Sequence, residues 1–242
     1  MRTELAASAF TALLVLCIGC GGNAEDGKGS AGKTRFEKAA DRARLRIDNL
    51  RQIGMAMHDY WDANNYRFPA QALRSKEGIP LLSWRVAILP YIGQKALYEQ
   101  FTLDEPWNSE HNVKLLERMP DVYKTPDLKT PYTGYVVFTG EGTPFGGQEA
   151  PRLSDIMAAD GSANTIMVVE SREAVFWTKP EDLPFDRADS VQSLGDVTEQ
   201  YFLALFFDGS QYAIDKEKCD AQTLRRLIQH ADGQPVDREQ LK

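Results

Sequence analysis

Three histidines, three cysteines and a scatter of serines and acids are the groups in this 242-residue chain that could act as nucleophiles, bases or metal ligands. Cys17 and Cys20 spell C-x-x-C, a spacing suited to dithiol redox chemistry or metal binding, but they sit in an apolar run with no second pair. Cys219, the remaining cysteine, reads as a buried or unreactive thiol. Ser30-Ala31-Gly32-Lys33 satisfies S-x-x-K inside a glycine-rich stretch, where nothing holds a hydroxyl against its base. His58, His111 and His230 fall on separate helix-like segments without an i, i+4 partner, so they build no metal site. Asp160-Gly161-Ser162 and Asp208-Gly209-Ser210 have the look of calcium loops, yet one or two carboxylates in a turn ordinarily serve the turn itself. The run Gly140 to Gly146 follows a strand-like segment. Its glycine spacing is wrong for a phosphate loop, and Pro144 and Pro151 forbid the helix that would receive the phosphate. Neither G-x-S-x-G nor H-E-x-x-H occurs. The expectation is no catalytic set, no cofactor and no metal. What remains are tryptophans beside polar residues: Trp84 with Arg85, Trp107 with Asn108 and His111, and Trp177 with Lys179. Such rings either pack in a core or line a ligand or partner surface, for which Trp107, His111, Trp177 and Lys179 are the candidates.

Composition narrows the partners. A net charge of −7 and a pI near 5.1 argue against nucleic acid, and 43% hydrophobic residues suffice for a real core. The charge is uneven. Between Lys33 and Arg51 lie seven basic residues against three acidic ones, a local surplus of four that leaves −11 for everything else. Such a stretch is either a solvated helix face or an attraction to an anionic membrane surface.

The first residues read as an export signal. Arg2 opens it, and an uncharged stretch runs from Leu5 to Gly19, too short to span a bilayer at about 20 residues per crossing. Its end, Leu16-Cys17-Ile18-Gly19-Cys20, resembles a bacterial lipoprotein lipobox, although Cys17 stands where leucine is common. That resemblance implies cleavage before Cys20 and lipid attachment to its thiol. The organisation expected is a signal at 1–19, a flexible tether at 20–33 and one domain at 34–242.

The elements that must position the remaining residues follow from spacing. Thr34-Arg35-Phe36-Glu37 is a capping box. From it Phe36, Ala40, Ala43, Ile47, Leu50, Gly54, Met57 and Trp61 recur in steps of four and three, predicting a helix over 34–64 that Asn64, Asn65 and Pro69 stop. A coiled coil is the rival reading; the small residues in the seam favour packing on a sheet. Ser83 is expected to cap a short helix ended at Pro90, Lys95–Phe101 to make a turn or two, and Ser109 to start a helix closed by Pro120. Residues 133–140, 164–171 and 174–178 read as strands, and 201–215 as a hairpin turning at Asp208-Gly209. A last helix follows Asp220, with Leu224, Leu227, Ile228 and Ala231 on one face and Gly233 beyond its end. The sum is an α+β domain, a long N-terminal helix on an antiparallel sheet with helical insertions and a C-terminal helix.

The blocks NLRQIGMAMHDY, LLSWRVAILPYIGQKALYEQF, LDEPWNSEHNVKLLERMPDVYKTPD, LSDIMAADGSANTIMVVE, WTKPEDLPFD and FFDGSQYAID resemble, in order over about residues 37–230, the signature blocks of a bacterial pseudopilin-like family of unknown function, once catalogued as solute-binding. The family is similar to type II secretion pseudopilins, which implies a helical spine laid across a small antiparallel sheet. Two departures stand out. Family members usually begin with a prepilin leader and an unbroken apolar helix, where this chain has a lipoprotein-like signal and a tether. They also commonly carry a cysteine before the first block and another in the V-Y-R-C-P block, where this chain has Arg46 and Thr125. The function implied is a non-enzymatic interaction or scaffold protein, anchored to the membrane by lipid and facing the periplasm or exterior. Its partners would be envelope or secretion-system proteins, with no role for nucleic acid. The alternative is an extracytoplasmic solute-binding protein.

Overall fold

Thr34 opens the first helix as its sequence requires. The computed structural model describes residues 34–187, 191–195, 199–234 and 236–241, so the expected signal at 1–19, the expected tether at 20–33 and Cys20 lie outside the described residues. Helix α1 (Arg35–Ala63) begins with the full capping box: the Thr34 hydroxyl accepts from the Glu37 amide, and the Glu37 carboxylate accepts from the Thr34 amide. It ends at Asn64, followed by Asn65 and Tyr66, both in the left-handed region at φ 56°. Asparagine tolerates that conformation; tyrosine adopts it at a cost of order 1–3 kcal/mol.

The buried face of α1 is Arg46, Asn49, Leu50, Ile53, Gly54, Ala56 and Met57. A Cβ on Gly54 would lie 3.0 Å from the Leu205 side chain, so glycine lets the helix settle close to the sheet. The expected stripe holds only from Leu50 onward. Phe36 is 88% exposed and Ile47 44%, because the body reaches back only to about Arg42, which pairs with Asp127. Among the described residues, no helix is long and apolar enough to cross a membrane.

The sheet is antiparallel, with strands β3 (Tyr132–Val136), β5 (Ile166–Phe176), β7 (Tyr201–Phe206) and β8 (Gln211–Asp215) in that order. The α+β class and the hairpin at Asp208-Gly209 stand as expected, Gly209 taking φ 81° in the turn. The two expected strands at 164–171 and 174–178 are one strand, β5, because β3 pairs across both halves with a register shift between Thr133 and Tyr135. Gly134 sits in that shift, where any Cβ would lie 2.6 Å from the Ser171 carbonyl oxygen.

Shorter elements fill the connections. Strands β1 (Ala72–Arg74) and β2 (Pro80–Ser83) pair antiparallel, and β4 (Phe138–Thr139) and β6 (Leu183–Pro184) pair parallel. Helix α2 (Trp84–Ala87) follows Ser83, whose hydroxyl donates to the Trp177 carbonyl instead of capping. Pro90 lies in the 3-10 turn Leu89–Ile92 that succeeds it, and α3 (Lys95–Tyr98) comes next. Ser109 caps the amide of Asn112, yet the helix that follows is 3-10, Asn112–Arg118, not α. Helix α4 (Leu153–Ala158) precedes β5. Helix α5 (Ala221–Ile228) starts at Asp220, which accepts from the Thr223 amide; it ends at Ile228, leaving Ala231 exposed.

Strand β7 shows how the two cores form. Leu203, Leu205 and Phe207 face α1 together with Leu50, Ile53 and Met57. Phe202, Ala204 and Phe206 face the opposite way, with Leu224, Leu227 and Ile228 of α5. Alternation sends successive side chains to opposite faces, so a sheet covered on both sides reads in sequence as a continuous apolar run.

Candidate functional site

Of the four candidate residues the fold brings two together. Tyr132 opens β3 and Phe176 closes β5, and the two are register partners. Their rings stack at 4.5 Å between centroids, and Trp107 stacks on the other side of Phe176 at 5.2 Å. Trp107 is held there by its amide, which donates to the Leu81 carbonyl. The Lys179 ammonium lies 5.8 Å from the Trp107 ring centroid and 2.6 Å from Glu181. The result is a ladder of three rings capped by a cation, partly open to solvent, with Tyr132 37% exposed.

Trp177 and His111 lie apart from that ladder. Trp177 is fully buried, stacked on Tyr123 at 5.9 Å and edge-on to Phe101, and its indole N–H donates to the Leu116 carbonyl. His111 is exposed, and its Nε2 lies 2.7 Å from the Gln100 carbonyl oxygen.

The turn acids are committed to the backbone. Asp160 accepts from the amides of Asp232 and Gly233, both at 2.8 Å. Asp208 accepts from the Ser210 amide and pairs with Arg238. Gly140 and Gly142 take positive φ in consecutive turns, and Gly146 packs so closely that a Cβ would meet the Gly140 carbonyl. Among the described residues no three His, Cys, Asp or Glu side chains converge on a metal position. Cys219 is 1% exposed; burial, reinforced by neighbouring Asp220, pushes its thiol up to about 12, which leaves no thiolate for chemistry near neutral pH.

Two buried charge clusters escaped sequence reasoning. Arg46 donates from Nε to both oxygens of Glu170 at 2.8 and 2.9 Å, and from its terminal nitrogens to Glu170 and Glu199. Burial opposes its charge, but those two carboxylates hold its pKa above the usual arginine value. Thr125 borders the same locality. It lines, with Leu128, Glu170, Arg172 and Gly195, a cavity of about 170 Å³ that touches none of the four candidates. The two positions where the resemblance implies cysteines therefore both lie beside Glu170. The second cluster centres on Asp182, fully buried with Arg85. Asp182 accepts from Arg85 at 2.6 Å, the Trp84 indole, the Val137 amide and Gln71. Burial raises its pKa, while Arg85 and the other donors act against that. The one signal in sequence was a charged residue beside a tryptophan, at Trp84-Arg85, and it named no partner.

The α+β fold, a long helix on a four-stranded antiparallel sheet with a surface aromatic ladder, defines no catalytic class. Residues 47–131, about a third of the chain, match the model of a family described as a protein of unknown function (DUF1559). The match runs from mid-α1 to the loop before β3 and includes Trp107 and His111. No curated protein matches the chain, and no solved structure does.

Proposed function

We propose that the chain is a non-enzymatic, membrane-tethered extracytoplasmic interaction module, derived from the type II secretion pseudopilin plan. The observation that carries this reading is the ladder Tyr132, Phe176 and Trp107. Its rings stack on one another and stay partly open to solvent, with Lys179 at one end. A ridge of rings beside a cation suits a protein partner better than an enclosed solute. A spine helix lying across an antiparallel sheet supports the pseudopilin kinship. The solute-binding alternative loses support because Trp177 is interior and the His111 ring is engaged by the Gln100 carbonyl.

Crosslinking in living cells from photoreactive residues at Tyr132 and Lys179 tests it. Specific protein adducts are expected, and they should be lost in Trp107→Ala. A chain that yields no adducts, but whose Tm shifts with sugars, peptides or ions, is a solute-binding protein instead. The tether is tested separately by fatty-acid labelling. Labelling of the parent and none of Cys20→Ser is expected; equal labelling of both removes the anchor.

A further inference from the structure

The first three turns of α1 are the least explained part of the fold. Phe36, Ala40, Ala43 and Ile47 continue the stripe that Leu50 and Met57 bury, yet Ala43 is only half-buried and Phe36, Ala40 and Ile47 stand exposed. The cations of this segment differ in their commitments. Arg42 pairs with Asp127, Arg46 with Glu170 and Glu199, and Arg51 with Asp48. Arg35, Lys38 and Arg44 lie on the exposed surface of the helix. Arg35 precedes Phe36 and Arg44 follows Ala43, so cations border the apolar stripe on both sides.

We propose that residues 35–47 are a docking surface for an anionic bilayer, with Phe36 entering the headgroup region and Arg35 and Arg44, on either flank of the stripe, meeting lipid phosphates. Charge complementarity selects this occupant. Arg35 and Arg44, exposed at the flanks of the stripe, meet an anionic surface, while the chain outside 33–51, at −11, is repelled from it, which fixes orientation as well as contact. A second copy fits worse, because a parallel pairing of this face sets Arg35 and Arg44 against their own kind. The chain leading into the helix contributes nearness. Fourteen residues separate the uncharged stretch ending at Gly19 from Thr34, so a lipid on Cys20 would keep the helix close to the bilayer. That nearness rests on the tethered reading; the chemistry of the helix face does not.

The test uses the full chain with neutral vesicles and with vesicles containing phosphatidylglycerol, and two readouts. Flotation reports the tether, and quenching by brominated lipid reports the helix through a tryptophan introduced as Phe36→Trp, with Ile79→Trp, at another exposed apolar position, as control. The expected result is quenching at position 36 on anionic vesicles, none at 79, and loss of the signal at about 0.5 M salt as screening shortens to a few ångströms. Charge reversal at Arg35 and Arg44 should weaken the anionic-dependent signal about fivefold per cation removed, with Tm unchanged. Flotation with both lipids but no quenching at 36 overturns the docking surface and leaves the tether standing. Quenching at 36 without flotation on neutral vesicles upholds docking and removes the tether. Shielding of position 36 without lipid overturns the proposal in favour of a second copy where it rises with protein concentration, and of the chain's own first 33 residues where it does not.

Discussion

Asp182 shows what one buried carboxylate does in this molecule. It gathers Trp84 and Arg85 from α2, Gln71 and the Val137 amide, so three segments meet on two oxygens. Removing it strands the Arg85 charge where no water reaches. Asp182→Ala is therefore expected to cost about 3–5 kcal/mol, read as a fall in Tm of order 10 °C, and Asp182→Asn distinctly less. An unchanged Tm in the alanine variant would show that Arg85 finds another partner. The sequence could not announce this cluster. Arg85 and Asp182 stand 97 positions apart and each looks like an ordinary surface charge. The same holds for Arg46 and Glu170. The Asp208 turn was legible because Asp208 accepts from the Ser210 amide within its own turn, whereas Asp160 accepts from Asp232 and Gly233, far along the chain, which no local pattern announces.

At the scale of the element, α1 has two halves with different duties. Leu50 is 0% exposed against β7 and the first core, whereas Phe36 meets nothing. Leu50→Asp is expected to destabilise the fold by several kcal/mol through an unpaired buried charge, and Phe36→Asp by less than about 0.5 kcal/mol. Chemical denaturation of both variants decides it; equal losses would mean that the helix is covered along its whole length. The sequence gives away the start, the end and the period of α1, because capping and spacing are local. It does not reveal where burial begins, since that depends on how far β7 and the 3-10 turn Asp121–Tyr123 reach along the helix. The pairs β1–β2 and β4–β6 were invisible for a related reason. Strands of two to four residues have too few positions to show a period, and only a partner makes them strands.

The described body is built on a four-stranded sheet with a core on either face, and its class was readable from the order of helix, strands and closing helix. How the ladder of Trp107, Phe176 and Tyr132 assembles was not, because it joins the segment after β2 to the far ends of β5 and β3. The burial of β7 on both faces has a further consequence, which concerns the chain when it is not folded. Residues 201–207 hold no charge, no proline and no glycine, and their aromatic and aliphatic side chains are hidden only by the native arrangement. Released, this run has the composition of a self-associating cross-β segment. Heating is thus expected to end in aggregates, not in a recoverable unfolded chain. Tyr201, 45% exposed at the strand's start, is where a guarding charge fits without disturbing either core. Tyr201→Lys should leave Tm within a few degrees and raise the fraction of native signal recovered on cooling. The two cores that give β7 its place are also what keep the molecule from polymerising through it.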